Sequence, residues 1–260
     1  MDLGIKDKVF LITGGAKGIG RSIALTMVAE GAIPVILDKD DVAGADILKE
    51  IKEAGGHSKF LKVDLTEFDQ CMDAVEFAFT EFGRLDGLLN NAGINDNVGL
   101  ETGNPDAFEN SLQKNLLHYY NMAYLCLPHL KKTKGTILNT SSKTAITGQG
   151  GTSGYVCAKA GILGLTRDWA AELLPYSIRV NALVPAEVWT PLYEWWVGTF
   201  PDPKSKKDHI ASKIPFERRF TLPQEIADMA VFLISARASH ITGQYVYVDG
   251  GYTHLDRALT

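Results

Sequence analysis

Several features are scarce in this sequence of 260 residues, and each absence narrows the class of protein. Its three cysteines, Cys71, Cys126 and Cys157, are far apart and odd in number, which argues against a disulfide framework and predicts core packing in a reducing cytosol. No apolar run approaches the roughly 20 residues of a membrane helix. The first residues lack the charged-then-apolar pattern of a signal peptide. The sequence therefore predicts a cytoplasmic protein with no membrane partner.

Positive charge is also in short supply. The net charge is -5, which gives no electrostatic case for nucleic acid or an anionic membrane as a partner. The six histidines follow no metal-ligand spacing, so no metal site is predicted. Apolar residues, by contrast, make up 45% of the chain, enough for a sizeable core. A length of 260 residues suits one large α/β domain spanning residues 1–260.

Short apolar runs alternate with long amphipathic stretches along the chain. Near-continuous apolar strands are typical of a parallel sheet that helices cover on both faces, so we predict a doubly wound α/β fold. Such folds bind ligands beyond the carboxyl ends of their strands. The predicted strands are Lys8–Ile12, Pro34–Leu37, Phe60–Val63, Gly87–Leu89, Thr136–Asn139, Ser177–Val184 and Gln244–Val248, and the two largest predicted helices are Pro105–Leu130 and Tyr155–Leu174.

One segment breaks this rhythm. Residues 190–214 are rich in proline and aromatic residues without being of low complexity. They lie between the last two predicted strands, where an α/β unit would place an ordinary crossover. We therefore predict a helical flap over the substrate rather than a linker or a second domain.

A glycine-rich turn follows the first predicted strand and opens a helix. Glycine lets the backbone turn sharply and approach a pyrophosphate closely, and the helix start offers free N–H groups to phosphates. A tight strand-to-helix turn without a ligand is the alternative, but strand, spacing and helix together favour a dinucleotide. The candidate binding residues in the turn are Gly14, Lys17, Gly18, Ile19 and Gly20.

Asp38 closes the second predicted strand, where a carboxylate can accept hydrogen bonds from both adenosine ribose hydroxyls. It would repel a 2′-phosphate, so NAD is favoured over NADP, although Lys17 and Lys39 could hold that phosphate. Asp64 and Leu65, after the third strand, are predicted to frame the adenine. Asn90-Asn91-Ala92-Gly93 follows the fourth strand, so Asn91, Ala92 and Gly93 are predicted to face the cofactor.

The pattern with the most chemical content is Ser142 followed by Tyr155-Val156-Cys157-Ala158-Lys159. Tyrosine and lysine four residues apart share one helix face, so the ammonium can lie near the phenol. A free tyrosine has a pKa of about 10, and a nearby cation favours the phenolate. Ser142 ends a strand, where its hydroxyl can hydrogen-bond a reacting oxygen. A surface Tyr–Lys pair is the alternative for the spacing alone.

Together these motifs resemble the classical short-chain dehydrogenase/reductase family over essentially the whole chain, including Arg179-Val180-Asn181 and Asp249-Gly250-Gly251. The resemblance implies a Rossmann-type fold, with Tyr155 as acid/base and Lys159 as its ribose-binding partner. Ser142 would stabilise the substrate oxygen, and Asn115 would organise a proton relay. Pro185, Val188 and Thr190 would lie near the nicotinamide, although Pro185-Ala186 stands where the family usually has Pro-Gly.

A narrower resemblance concerns Val188–Glu194, Pro201-Asp202-Pro203 and Gln149, which are similar to the branch of L-fucose dehydrogenases and 17-beta-hydroxysteroid dehydrogenase type 14. It implies hydride transfer from a secondary or anomeric alcohol, C1 of an aldose such as L-fucose, to NAD. A hydroxysteroid or other polyol or keto-acid substrate is the alternative. We favour the sugar because a buried unpaired carboxylate would be costly beside a steroid. The candidate substrate-binding residues are Ser142, Gln149, Tyr155, Asn95, Glu187, Trp189 and Tyr193.

Two further expectations concern class and assembly. A catalytically silent dinucleotide sensor is the rival from another class, but the serine, tyrosine, lysine and Asn115 are all in register, which favours an enzyme. The two large predicted helices are long enough to pair with their own copies. Family members commonly form tetramers in this way, so the resemblance implies a homotetramer.

Overall fold

A computed structural model of the chain describes residues 1–255. The strands are β1 Val9–Thr13, β2 Ile33–Asp38, β3 Lys59–Lys62, β4 Gly87–Asn90, β5 Thr136–Thr140, β6 Arg179–Pro185 and β7 Tyr245–Val248. The α-helices are α1 Gly18–Ala29, α2 Asp41–Glu53, α3 Phe68–Phe82, α4 Pro105–Leu112, α5 His118–Thr133, α6 Thr144–Thr147, α7 Ser153–Glu172, α8 Pro191–Gly198, α9 Pro203–Ala211 and α10 Pro223–Ile234.

The strands form one seven-stranded parallel sheet in the order β3-β2-β1-β4-β5-β6-β7. Successive side chains of a strand point to opposite faces, and both faces of β1 are buried. Val9 and Leu11 enter one core with α3, α5 and α7, whereas Phe10 and Ile12 enter a second core with α1, α2 and α10. This arrangement confirms the predicted doubly wound α/β fold.

The strand order sets the place of the site. β2 pairs with one edge of β1, and β4 pairs with the other, so the chain reverses its direction of growth across the sheet at this point. Helices leave the sheet on opposite sides there, and a crevice opens beyond the carboxyl ends of the strands. The residues that follow β1, β2 and β4 therefore meet in one crevice.

The prediction of a single α-helix over Pro105–Leu130 is wrong. A π-helical turn, Gln113–Leu117, separates α4 from α5, which continues to Thr133. The side-chain amide of Asn115 donates to the Ser111 carbonyl at 3.0 Å, a partner that the backbone N–H of Asn115 would have in a regular helix. Competition for this carbonyl accounts for the wider turn.

Other predicted boundaries shift by one or two residues. The largest strand error is at Ser177, where the predicted strand begins two residues before β6. Ser177 has a left-handed backbone with φ of 55°, which no strand accommodates. The observed helix α7 begins earlier and ends earlier than the predicted helix Tyr155–Leu174. It ends earlier because Leu174–Tyr176 forms a separate 3-10 turn.

The segment at residues 190–214 contains two short helices, as predicted. Each begins with a capping side chain followed by proline: Thr190 accepts from the Tyr193 N–H at 3.2 Å, and Asp202 accepts from the Ser205 N–H at 2.9 Å. This combination satisfies free amides at the start of a helix and is a strong start signal. Within residues 1–255, no helix is both long enough and apolar enough to cross a membrane.

Candidate active site

A cleft of about 540 Å³ opens at the reversal point of the sheet. The turns after β1, β2, β3 and β4 line it on one side, and the start of α8 lines it on the other. It contains most of the residues predicted to bind the cofactor: Gly14, Lys17, Gly18, Ile19, Asp38, Asp64, Leu65, Asn91, Ala92, Gly93 and Thr190. The other residues predicted to bind the cofactor, Gly20, Tyr155, Lys159, Pro185 and Val188, are not among those that line this cleft.

Two glycines make the first turn possible. Gly14 has a φ of 63°, and a Cβ there would lie 2.9 Å from the Cα of Ala92. A Cβ on Gly20 would lie 2.2 Å from the Gly14 carbonyl oxygen, closer than any real contact. Gly20 therefore packs behind the turn and closes it, which explains why it does not face the cleft.

The turn and the start of α1 suit an anionic ligand. Lys17 precedes the helix in an extended conformation, and its side chain does not cap the first amides. These N–H groups carry the positive end of the helix dipole toward the cleft. The glycine cradle and the uncapped helix start together fit the pyrophosphate of a dinucleotide.

The acidic residues at the end of β2 make more contacts than the sequence indicates. Asp38 accepts hydrogen bonds from the Ala16 N–H at 3.1 Å and the Asp40 N–H at 3.2 Å, so it also braces the glycine turn. Asp40 caps α2 through the Ala43 N–H and forms an ion pair with Lys17. Sequence reasoning missed this second carboxylate. It pairs with Lys17, the lysine that was expected to be able to hold a 2′-phosphate.

Asn91 has a structural task besides its place in the cleft. Its side-chain amide donates to the carbonyls of Thr13 and Gly14, each at 3.1 Å. The Thr13 hydroxyl in turn accepts from the N–H groups of Asn91 and Ala92. The turns after β1 and β4 are therefore cross-linked by side chains. Asp64 likewise braces its own turn, because it accepts from the backbone N–H and the hydroxyl of Thr66.

The predicted catalytic residues converge at the end of β5. Ser142 is buried and hydrogen-bonds the Tyr155 hydroxyl. Lys159, one turn farther along α7, is 2% exposed, and its Nζ lies 5.6 Å from the centroid of the Tyr155 ring. A phenol, an aliphatic hydroxyl and a lysine amine thus occupy one corner of the fold.

The electrostatics of this corner differ from the expectation. Desolvation lowers the pKa of Lys159 to about 7, and desolvation also raises the pKa of Tyr155 above its ordinary value, against the hydrogen bond from Ser142. Glu187 adds a smaller upward contribution. The lowered tyrosine pKa that the spacing predicted is therefore not found, because burial outweighs the lowering effect of Ser142.

Asn115 is fully buried below this corner. Its Oδ1 accepts from the Ile94 N–H at 2.7 Å, while its Nδ2 is held by Ser111. A Cβ on Gly93 would lie 3.0 Å from the Asn115 oxygen and 3.2 Å from the Lys159 nitrogen. Asn115 therefore fixes the segment after β4 against the lysine through one hydrogen bond at each atom of its amide.

The candidate substrate residues are only partly brought together. Gln149 lies on an exposed loop in which Gly148, Gly150 and Gly151 all have positive φ. Asn95 accepts from the Asn97 N–H and so stabilises its own turn. Trp189 packs edge-on against Phe220, with centroids 4.9 Å apart, and Lys207 covers its ring. The expectation of a free aromatic platform at Trp189 is not met, because the flap packs onto it.

Glu187 is 9% exposed, and both of its carboxylate oxygens have partners. It is therefore neither a solvated loop residue nor an unpaired carboxylate. One oxygen forms a buried ion pair with Lys143, and the other accepts from the Tyr193 hydroxyl at 2.6 Å. Sequence reasoning missed Lys143, which follows Ser142 directly. Its position after a strand end was the available signal, but its partner is 44 residues away.

Ala186, where the family usually has glycine, adopts a backbone conformation that any residue can take. Ala186 is absent from the positive-φ positions, so no glycine is needed there. The Pro185 carbonyl accepts from the Lys143 N–H at 2.9 Å, and Val188 pairs with Thr221. Thr190 then reaches the glycine turn, where a Cβ on Gly18 would lie 3.4 Å from its methyl group.

Two remaining expectations concern cysteine and metal. Cys71 and Cys126 are buried as predicted, but Cys157 is exposed, because it lies on the outward face of α7. Among residues 1–255, no group of three or more His, Cys, Asp or Glu side chains could hold a metal ion.

The chain resembles known proteins along nearly its full length. Residues 14–253 match the family model described as enoyl-(acyl carrier protein) reductase. The chain is 34% identical to the 3-oxoacyl-[acyl-carrier-protein] reductase of Thermotoga maritima, with 95% of this chain and 98% of the relative covered. It is 35% identical to the L-fucose dehydrogenase of Bos taurus, with 94% and 88% covered.

Solved structures agree. The Cj0485 dehydrogenase superposes with a TM-score of 0.95 at 47% identity, covering 100% of this chain and 99% of that one. The ligand-free aldohexose dehydrogenase of Thermoplasma acidophilum gives 0.88 at 31% identity, covering 97% and 96%. The 3-ketoacyl-(acyl-carrier-protein) reductase of Brucella melitensis, complexed with NADH, gives 0.86 at 32% identity, covering 96% and 100%.

The fold, the matching family model and relatives above 30% identity over almost the whole chain all agree. The members of this family are oxidoreductases that bind a nicotinamide dinucleotide. The chain belongs to the short-chain dehydrogenase/reductase family.

Proposed function

We propose that the chain is an NAD-dependent sugar dehydrogenase that oxidises the C1 hydroxyl of an aldose, L-fucose or a close relative, to the lactone. The observation that carries the sugar assignment is the buried Lys143–Glu187–Tyr193 cluster beside Ser142. A steroid requires an apolar slot, whereas a sugar can share the hydrogen-bonding atoms of such a cluster. The likeness to an L-fucose dehydrogenase and to an aldohexose dehydrogenase supports the same substrate class.

The chemistry follows from the catalytic corner. A bound oxidised nicotinamide supplies the hydride acceptor and a positive charge. Ser142 would steady the C1 oxygen, and Tyr155 would take the proton of the C1 hydroxyl, while the nicotinamide would accept the hydride from C1. Lys159 would stabilise the phenolate and hold the cofactor ribose. The C1–H and O–H bonds break, and a C1=O double bond forms.

The acidic end of β2 supports NAD over NADP. Asp38 is placed to accept hydrogen bonds from the adenosine ribose, and its charge disfavours a 2′-phosphate. The ion pair between Lys17 and Asp40 strengthens this preference, because it neutralises a cation that would otherwise attract that phosphate.

A purified-enzyme screen tests the substrate directly. The panel contains aldoses, polyols and a hydroxysteroid, each with NAD and with NADP, and keto acids and a 3-oxoacyl thioester, each with NADH and with NADPH, and the reduced nicotinamide is followed by absorbance. We expect L-fucose or a close aldose with NAD to give the highest kcat/KM. Turnover of estradiol or the thioester with no aldose active would overturn the sugar assignment, and tight NAD binding without any turnover would favour a sensor.

A variant pair sharpens the screen. Gln149→Ala should lower kcat/KM for the preferred sugar more than for a deoxygenated analogue, because a site that bonds a hydroxyl discriminates against its loss. Gln224, exposed on the start of α10 and remote from this corner, gives the matched control Gln224→Ala. An equal loss of kcat/KM for both sugars would show that Gln149 does not contact the sugar hydroxyl.

We also propose a homotetramer in which α5 and α7 pair with their copies. Tyr120 and Tyr124 are 54% and 61% exposed and stack at 6.4 Å, and a groove beside them runs to Trp169. Light scattering at micromolar concentration should give four subunits, with a dimer as the smaller alternative. Tyr120→Glu with Tyr124→Glu should dissociate this contact. A monomeric wild-type chain contradicts the proposal.

A further inference from the structure

Lys159 lies between two tyrosines, only one of which belongs to the motif. Its Nζ lies 5.6 Å from the ring centroid of Tyr155 and 5.2 Å from that of Tyr119. The ammonium donates to the Tyr119 hydroxyl oxygen at 3.2 Å and to the Thr140 carbonyl at 2.8 Å. A second phenol therefore contacts the lysine in addition to the tyrosine of the motif.

The bonding of Tyr119 sets the direction of this contact. Its side chain is fully buried, and its single hydroxyl hydrogen has two carbonyl acceptors within reach, Thr140 at 3.0 Å and Ala92 at 3.2 Å. Because the hydroxyl hydrogen is used on these carbonyls, the oxygen presents its lone pair to Lys159. Desolvation raises the pKa of Tyr119 well above the ordinary value, so the phenol keeps its proton.

The anchors of this hydroxyl lie on the segments that form the site. Thr140 ends β5, and Ala92 follows β4, the neighbouring strand. Tyr119 thus ties the lysine to two adjacent strand ends at once. A phenylalanine would fill the same space and keep the ring beneath the ammonium, but it would leave these groups without the bridging oxygen.

We propose that Tyr119 is a positioning residue for the reaction: its hydroxyl holds the Lys159 ammonium, in its charged form, against Tyr155. The proposal rests on the acid/base role proposed above for Tyr155. It assigns to α5 a part of the catalytic corner that the Tyr-x-x-x-Lys motif alone does not contain.

The other titratable groups around Lys159 fit this role. His118 faces it from α5, but burial, aided by the lysine charge, lowers the pKa of that imidazole to about 3, so it stays neutral. Tyr155 faces it from α7, and Glu187 acts on Tyr155 from the segment after β6. β5 contributes the Thr140 carbonyl, and the π turn contributes Asn115, both uncharged.

The sign of the expected effect follows from the charge states. Removing the Tyr119 hydroxyl removes an acceptor that favours the ammonium, so the pKa of Lys159 should fall. A neutral lysine no longer stabilises the Tyr155 phenolate, and the phenolate then forms only at higher pH. The rising limb of the kcat/KM profile for alcohol oxidation should therefore move upward.

The test compares Tyr119→Phe with Tyr176→Phe, the same change at an exposed tyrosine on the 3-10 turn after α7. We expect Tyr119→Phe to move the rising limb upward by about one pH unit and to lower kcat/KM about tenfold on that limb. Tyr176→Phe should match the wild type. Thermal melting is recorded for each, since a purely structural role would change the melting temperature and leave the profile in place, and that result overturns the proposal.

A second measurement needs no substrate. The pKa of Lys159 can be followed by NMR titration of protein that contains carbon-labelled lysine. In Tyr119→Phe this pKa should lie below the wild-type value of about 7. An unchanged Lys159 titration contradicts the proposal whatever the substrate is. If no aldose is oxidised but this pKa falls, the sugar assignment fails and the role of Tyr119 stands.

Discussion

The Tyr155→Phe variant should lose about 10²–10⁴-fold in kcat while binding NAD with nearly unchanged affinity. Phenylalanine keeps the ring on α7 but removes the oxygen that Ser142 hydrogen-bonds and that would take the C1 proton. Ser142 and Lys159 remain in place, so the substrate can still bind near the nicotinamide. The measurement is steady-state oxidation of the preferred aldose, with NAD affinity followed by calorimetry.

Tyr176→Phe is the control for this change, because Tyr176 is exposed on the 3-10 turn after α7 and lies outside the site. It should retain the wild-type kcat. If Tyr155→Phe keeps a tenth or more of the wild-type rate, Tyr155 is not the proton acceptor. A loss of NAD affinity equal to the loss of rate would point instead to collapse of the cleft.

The Asp38→Ala variant should have the second-largest effect, on the cofactor. Each hydrogen bond from a ribose hydroxyl to the carboxylate contributes on the order of 1.5–3 kcal/mol, so NAD affinity should fall at least about tenfold. Loss of the negative charge should also raise kcat/KM with NADP relative to NAD. Both ratios are measured with the same aldose at one ionic strength.

Asp38 also accepts from Ala16 and Asp40, so the alanine variant loosens the glycine turn as well. Asp38→Asn separates the two effects, because it keeps an acceptor and removes the charge. It should relax the discrimination against NADP with a smaller loss of NAD affinity. The exposed Asp46 on α2 gives the control Asp46→Asn. A wild type that already prefers NADP contradicts the assignment of Asp38.

Local patterns were enough to predict the sheet and the cleft. Buried parallel strands read as continuous apolar runs, and β1, β2 and β4 each end in residues whose types suit a ligand-facing turn. Tyrosine and lysine at a spacing of four share a face wherever the helix is regular, as in α7. These features depend on neighbours in the sequence, which is why the sequence reveals them.

The remainder depends on partners that are distant in the sequence. Lys143 and Glu187 pair across the ends of β5 and β6, and no local pattern marks the two residues as partners. Tyr119 follows the helical spacing of Met122, Cys126 and Leu130, so it reads as an ordinary core residue. The π turn at Asn115 comes from competition for one carbonyl, which residue propensities do not encode.

The proposed preference for NAD should depend on ionic strength, because it draws on the ion pair between Lys17 and Asp40. Both side chains are open to water, so dissolved ions screen their attraction, and the Debye length falls from about 10 Å at 0.1 M salt to about 3 Å at 1 M. The same ions weaken the repulsion between Asp38 and a 2′-phosphate. The part of the preference for NAD over NADP that rests on these charges should become smaller as ionic strength rises. The part that rests on hydrogen bonds to the ribose hydroxyls should persist.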